Sequence, residues 1–331
     1  MYSHFIASFE SKLAPVKRAS FAAAASRASP DHGVGTALLD ALLLKFDKSE
    51  LAARALVHVA LAELQLRPHG DLKQCKALLE LAKVGIDAVQ VAPGSADGAA
   101  DSLVPAAYYG TLFALHKRRH DSLAFYDAAV KFLAHQPLDA LAPSAQLALA
   151  TDMALAALSG DKIYNFGDLL NHPVFAAIKQ SWLGQLLSAV NVGDIATYER
   201  ILAAHSADVA AQPALAASAQ TLREKVSILA LMTLALGRSA RDRTLTFAEI
   251  ATATHLPLNE VELLLMKALA LELIRGTIDQ VDETVTITWV QPRVLDAKQL
   301  DVVAARLQDW AALVTTQLTA LKQQMPNGLI Q

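Results

Sequence analysis

A single cysteine, Cys75, stands in a chain of 331 residues. That excludes an intramolecular disulfide framework and fits a reducing compartment. Cys75 lies in the helical pattern DLKQCKALLELAKVGIDAV (71–89), where the expected role is a buried structural thiol rather than a nucleophile. Aromatic residues are scarce as well, 6% against 53% hydrophobic residues overall. Much of the apolar content is Ala and Leu, strong helix formers, which points to close-packed helices rather than sheets. No stretch free of charge and histidine is longer than Ser102–Leu115, short of the roughly 18 residues expected of a membrane span. The start, MYSHFIASFESKLA, lacks the basic head and continuous apolar run of a signal peptide. Charge of one sign is also missing: the net charge is −3 and the pI about 6.4, so the whole chain carries no electrostatic footprint for nucleic acid. These absences together describe a soluble intracellular protein.

Motifs that carry chemistry are absent too. There is no G-x-S-x-G, no H-E-x-x-H and no P-loop. His116-Lys117-Arg118-Arg119-His120 has the i,i+4 histidine spacing of a helical metal site. Its intervening residues are all cationic and Asp121 is the sole neighbouring third ligand, so a solvated helix end is expected. Gly33-Val34-Gly35 resembles the opening of a dinucleotide fingerprint but lacks the third glycine and follows no strand, so a loop is expected. No catalytic residue, cofactor site or metal site is assigned, and no enzyme is expected.

What the chain does have is helix after helix from about Thr36 to Arg238. The segments 36–46, 50–66, 71–89, 105–119, 121–134, 143–158, 176–190 and 194–205 each place apolar residues at three- and four-residue spacing. Breakers separate them: Pro68-His69-Gly70, Pro93-Gly94, Pro137, Ser159-Gly160, His172-Pro173 and Val192-Gly193. Helices of this length with short connections stack as antiparallel neighbours in a solenoid or bundle. Tyr108, Tyr109, Phe125 and Ala128 have the flavour of tetratricopeptide-like packing, although no fixed period recurs. The stretch 92–101, rich in Gly, Ala and Asp, is the internal segment expected to be mobile.

From Thr244 the pattern changes to strand, short helix, turn, longer helix and a two-stranded wing, a winged-helix module. Thr246-Phe247-Ala248-Glu249 reads as a capping box, with Leu245 and Ile250 as its hydrophobic staple. Asn259-Glu260-Val261-Glu262 reads as a second, with Leu258 and Leu263. His255-Leu256-Pro257 turns between the two helices. Val285, Ile287 and Trp289 alternate with Thr286 and Thr288 as a half-buried strand, paired with 274–280 through the turn 281–284. A DNA reader needs basic or amide side chains on its second helix, and this one carries Glu260, Glu262 and Glu272 against Lys267. Arg238, Arg241 and Arg243 precede the module and would support non-specific phosphate contacts at most.

After Pro292 the chain turns helical again, with Asp296 as N-cap. Leu300, Val303, Leu307, Trp310, Val314, Leu318, Leu321 and Met325 form one apolar stripe about seven turns long. Its near-heptad spacing suits a bundle with helices of other chains better than packing on its own solenoid.

Helical repeats that lead into a winged helix and then a terminal helix resemble the PCI-domain proteins, scaffolds of the proteasome lid, the signalosome and an initiation-factor complex. GDLLNHPVF (167–175), LLSAVNVGDIATYE (186–199), LTFAEIA (245–251), NEVELLLMKAL (259–269), GTIDQVD (276–282) and TWVQPRVLD (288–296) are similar to the lid branch of that family. The resemblance implies an all-α dominated fold: tetratricopeptide-like helical repeats over 1–165, a PCI domain over 166–295 with its winged helix from about 241, and an assembly helix over 296–331. It also implies a non-catalytic lid subunit of the cytoplasm and nucleus, acting in lid assembly and thereby in ubiquitin-dependent degradation. Its partners would be other PCI subunits and further regulatory-particle subunits, without membrane, nucleic acid or cofactor. In such lids the winged helices form an arc and the terminal helices a shared bundle. On that basis Val285, Ile287 and Trp289, on a wing strand offering its edge, and the stripe Leu300, Val303, Leu307, Trp310, Val314, Leu318 and Leu321 are the candidate interface. Two alternatives stay open: a winged-helix nucleic-acid binder, which Arg238, Arg241 and Arg243 would serve, and a scaffold of the signalosome or initiation complex.

Overall fold

Alanine-rich segments with leucine at helical spacing bury one face each, and here they stack in chain order. The computed structural model describes residues 13–324 except 30, 48–49, 69, 92–99, 239–242 and 293–296. Its first half comprises α1 (Pro15–Ala28), α2 (His32–Leu43), α3 (Leu51–Gln65), α4 (Leu72–Val91), α5 (Ala100–Arg119), α6 (Ser122–His135) and α7 (Pro143–Ser159). Sequence neighbours pack as spatial neighbours, α3 on α4, α5 on α6 and α6 on α7, as short connections require. One core joins α1, α2 and one side of α3, around Leu39, Val57 and Leu64. A second joins the other side of α3 to α4 and α5, around Cys75, Ile86 and Leu115.

Asp31 starts α2 by accepting from the Gly33 amide at 3.0 Å. Gly33-Val34-Gly35 is therefore the first turn of a helix and not the expected loop: Gly35 lies buried, where an added Cβ would meet the Leu64 side chain at 3.2 Å. The expected helix start at Pro105 also moves, since α5 begins at Ala100 and carries Pro105 inside it. The stretch expected to be mobile lies outside the described residues up to 99, and 100–101 open α5.

From α6 onward a single core runs from Phe125 to Val290, without a break at 165. It includes the short α8 (Gly167–Asn171), α9 (Trp182–Val192), α10 (Ile195–Ala204), α11 (Ser206–Ala210), α12 (Pro213–Ala217) and α13 (Ala219–Gly237). The helix expected over 176–190 is shorter than its pattern. A 3₁₀ turn occupies Pro173–Ala177, and Ser181 then caps α9, its hydroxyl accepting from the Gly184 amide at 3.3 Å. Gly193 ends α9 in the left-handed region at φ 78°, and a Cβ there would sit 2.5 Å from the Ala230 backbone. Only glycine permits both the dihedral and the close crossing of α9 over α13.

The winged helix follows: β1 (Thr244–Thr246), α14 (Phe247–Thr254), α15 (Leu258–Ala270), β2 (Ile274–Asp279) and β3 (Thr284–Val290), then α16 (Ala297–Gln324). The sheet is antiparallel in the order β1-β3-β2, with Leu245 opposite Val285, Ile278 opposite Val285 on the other side, and a bulge at Arg275/Gly276. α13 packs against α14, α15 and β3, so it is the spine that carries the module.

Candidate assembly surfaces

The entrance to the winged helix is held by paired local bonds. Thr246 Oγ1 accepts from the Glu249 amide at 3.3 Å, and Glu249 Oε2 accepts from the Thr246 amide at 3.1 Å. This is the reciprocal capping box that the spacing predicts. Leu245 and Ile250 beside it are fully buried. The Thr246 amide, with Arg238 in an ion pair, holds the Glu249 carboxyl below its usual range.

The second expected capping box does not form. Pro257 occupies the N-cap position without a side-chain bond and α15 begins at Leu258, so Asn259 is already helical. The Glu260 amide bonds to the Pro257 carbonyl at 2.9 Å instead. Leu258 and Leu263, expected as a staple, are exposed. Glu272 also leaves the helix: it follows α15 with φ 56°. On α15 itself Glu262 accepts from Gln280 at 3.1 Å and Lys267 is tied to Glu224 on α13. The solvent face of the helix therefore presents Leu258, Leu263 and Met266 beside Glu260. This surface is apolar and acidic, unsuited to a phosphate backbone. A groove of about 800 Å³ runs between it and α13. Of the three arginines before the module, Arg238 is engaged by Glu249, Arg243 accepts the Ile287 amide through its carbonyl at 3.0 Å, and Arg241 lies outside the described residues.

The wing corrects a further expectation. β3 is the central strand: β2 pairs along its length, while β1 pairs over 284–286 and the Arg243 carbonyl takes the Ile287 amide, so the edge expected at Val285 and Ile287 is closed. Val285 and Ile287 are buried in the core at 0% and 2% exposure. They hold the sheet together and are not available to a partner. The reason is that β1, the strand expected from Thr244, adds to the outer side of β3, a pairing that alternation within 285–290 does not announce. Trp289 is half-buried under the Arg275 guanidinium, 4.8 Å from its ring centroid. The free edge of the longer strand pair belongs to β2, where Arg275, Thr277 and Asp279 are exposed.

The stripe lies on α16, a helix of 28 residues, about 42 Å long. Every side chain described on it, at 300–301 and 303–321, is exposed. Leu300, Leu307, Val314 and Leu321 fall at successive heptad positions, with Val303 and Trp310 between them. The spacing is that of an a/d seam without its partner helix. Trp310 is 65% exposed and Leu307 58%. Met325 and the expected N-cap Asp296 lie outside the described residues.

Elsewhere, His116 is half-buried with Nδ1 4.0 Å from the Asp121 carboxylate, Lys117 pairs with Asp152, and His120 ends α5 at φ 56°. Burial lowers the His116 pKa despite Asp121, which favours the uncharged ring. Among the described residues no group of three or more His, Cys, Asp or Glu is placed to hold a metal ion, and no helix is long and apolar enough to cross a membrane. Burial pushes the Cys75 thiol up to about 11, so it is a poor nucleophile.

Two family models match the chain: the PSD13 N-terminal repeats over residues 1–187 and the PCI domain over 202–289. The chain is 34% identical to the 26S proteasome non-ATPase regulatory subunit 13 homolog B of Arabidopsis thaliana, over 99% of this chain and 84% of that protein. It is likewise 34% identical to the 26S proteasome non-ATPase regulatory subunit 13 of Dictyostelium discoideum, over 96% and 81%. An initiation-factor relative, eukaryotic translation initiation factor 3 subunit M of Neosartorya fischeri, is 27% identical over 53% of this chain and 37% of its own. With the N-terminal repeats and the PCI domain matched in order and 34% identity along nearly the full length, the chain belongs to the family of the 26S proteasome non-ATPase regulatory subunit 13.

Proposed function

We propose that this chain is a non-catalytic scaffold subunit of the proteasome regulatory-particle lid, contributing to ubiquitin-dependent degradation through assembly, in the cytoplasm and nucleus. The observation that carries this reading is α16, a heptad-striped helix exposed along its described length. A seam of this kind buries its apolar area only against helices of other chains. The winged helix supports the same role: its second helix offers leucine, methionine and glutamate where a nucleic-acid reader would offer cations. Its partners are PCI subunits of the lid, met through the α16 seam and through winged-helix surfaces that include the β2 edge.

Deleting residues 297–331 tests this. The truncated chain is expected to fold as before, because no described side chain of α16 enters the core, and to be missing from the lid on native gels. Normal incorporation of the truncated chain would remove the basis of the proposal.

A further inference from the structure

The winged helix carries a groove that its own chain does not fill. In the cleft between α13 and α15, Leu263 and Met266 stand on the α15 wall at 67% and 55% exposure, beside buried Leu264. Gln220, Arg223 and Ser227 form the α13 wall. Both walls are fixed in place. Buried Lys225 pins α13 by donating to the carbonyls of Ala157 at 2.8 Å and Gly160 at 2.6 Å, at the end of α7. On the other side His255, at φ 52°, and Pro257 set where α15 begins. An exposed apolar patch rimmed by charge marks a surface that another protein covers.

The charges around this groove are unbalanced. Arg223 is paired with Glu199 at 3.4 Å and Lys267 with Glu224, which engages both the arginine and the lysine of the lining. Glu260 has no side-chain partner among the described residues, and Glu262 accepts only from the neutral Gln280 amide. Two carboxylates are thus left uncompensated next to Leu263. The groove also adjoins the root of α16. The Gln291 amide donates to the Leu273 carbonyl at 2.8 Å, so the chain leaves the winged helix at the end of α15 where Ala270 lines the groove. α16 starts six residues later, within about 20 Å.

We propose that this groove receives an amphipathic helix of a neighbouring lid subunit, which sets apolar side chains between Leu263, Met266 and α13 and brings a lysine or arginine to Glu260. This contact rests on the lid role proposed above and is separate from the α16 seam. A helix suits the site because two helices flank it, and a third packs on them side chain into groove. A strand would bring backbone amides and carbonyls to leucine and methionine walls that offer them no partner. A phosphate backbone would meet Glu260 and Glu262 and be repelled. A basic side chain completes the one acid of the lining that lacks a partner, and so fixes which helix enters and in what register.

Cross-linking in a reconstituted lid tests the groove. Photoreactive benzoylphenylalanine replaces Leu263 in the full chain, which is mixed with lid lacking this chain and irradiated. The adduct is expected on a helix of another lid subunit, with a lysine or arginine within four residues of it. Glu260→Lys should lower incorporation at least tenfold in competition with tagged unsubstituted chain, and reversing the charge of that partner residue should restore it. No adduct, or adducts confined to the chain's own α16, to a second copy or to a strand, would each overturn the proposal, as would parity of Glu260→Lys. The double variant Leu263→Asp, Met266→Asp leaves α16 intact and should melt as the unsubstituted chain does while losing incorporation at least tenfold. A melt lowered by several degrees would mean that these side chains are held within the chain and the groove is not open. Parity of this variant overturns the groove alone, whereas parity of the chain lacking 297–331 overturns the seam.

Discussion

Replacing Leu307 and Trp310 together by alanine separates an assembly seam from a core. In the free chain both side chains face solvent, at 58% and 65% exposure. Truncating them removes little buried area, and each change should alter stability by no more than about 0.5 kcal/mol. In a helical bundle the exposed part of each would be buried. Complete burial of a leucine side chain is worth about 1.5–3 kcal/mol. With more than half its surface still available, Leu307 should contribute about 1–1.5 kcal/mol. Trp310, larger and at a central d position, should contribute about 2 kcal/mol. The double variant should therefore lose about 3–3.5 kcal/mol of association free energy, a weakening of between a hundred- and a thousand-fold. The assay has two readouts. A thermal melt of the isolated chain should be unchanged within about 2 °C. In a lid reconstitution that mixes the variant with tagged unsubstituted chain, the variant should be excluded almost completely. Asp309→Ala, between the two on the solvent side of the seam, should compete at parity. A melting temperature that drops by several degrees would mean that the stripe packs on its own chain. Incorporation of the double variant at parity would refute the seam.

Gly193→Ala should be among the most destabilising single-methyl changes, because the Cβ would approach the Ala230 backbone at 2.5 Å while φ stays near 78°. The left-handed dihedral alone costs about 1–2 kcal/mol, and displacing α9 from α13 adds to it. A loss of about 3 kcal/mol in denaturant titration is expected, and a loss below about 1 kcal/mol would mean that the crossing is looser than described. Thr246→Ala should cost about 1 kcal/mol by leaving the Glu249 amide uncapped. The same box has a pH signature. Glu249 titrates below its ordinary 4.5 and Asp194, capping α10 through the Thr197 side chain and amide, below its ordinary 3.8. Both therefore stabilise the fold above those values, and the contribution disappears as pH falls through and below them. Acid titration of Glu249→Gln should show a shallower loss of stability below about pH 4.5 than the unsubstituted chain, and identical slopes would contradict the assignment.

Periodicity revealed the helices that bury one face and missed those that bury more. α4 and α6 were legible because each presents an apolar stripe and a polar back, and α3, buried on two sides, through its length and its Ala and Leu content. α13 escaped as a separate element because Val226–Ala235 is buried on several sides, which leaves an almost continuous apolar run without a stripe. Lys225 inside that helix gave no signal, since its acceptors belong to a segment remote in sequence. The winged helix was visible through Thr246 and Glu249, where cap chemistry is local. The pattern failed at Asn259, because a proline already sets the helix start and leaves nothing for a side chain to cap. The wing was misjudged for a similar reason. Alternation identified β3 as a strand, but only pairing shows whether a strand is central, and β1 is three residues long. The exposed face of α15 and its groove against α13 depend on tertiary packing and could not be read from spacing.

The composition of α16 bears on how the seam forms. Val302, Val303, Val314, Thr315, Thr316 and Thr319 are β-branched and disfavour a helix in water. Thr315, Thr316 and Thr319 bond back to the carbonyls of residues 311, 312 and 315, a contact that itself slightly weakens a helix. Most helical stability in proteins comes from burying an amphipathic face rather than from propensity, and here the face is unburied until partners supply the other side of the seam. Folding of α16 is then coupled to assembly: ordering is opposed by backbone entropy, about 1–2 kcal/mol per residue, and offset by the leucines and Trp310 entering the bundle. In the isolated chain, amides of 303–321 should exchange within seconds while those of α13 stay protected, and the same α16 amides should slow by at least a hundred-fold in the assembled lid. If they are already protected in the isolated chain, the helix has found its partner within this molecule and the seam is not where the lid takes hold.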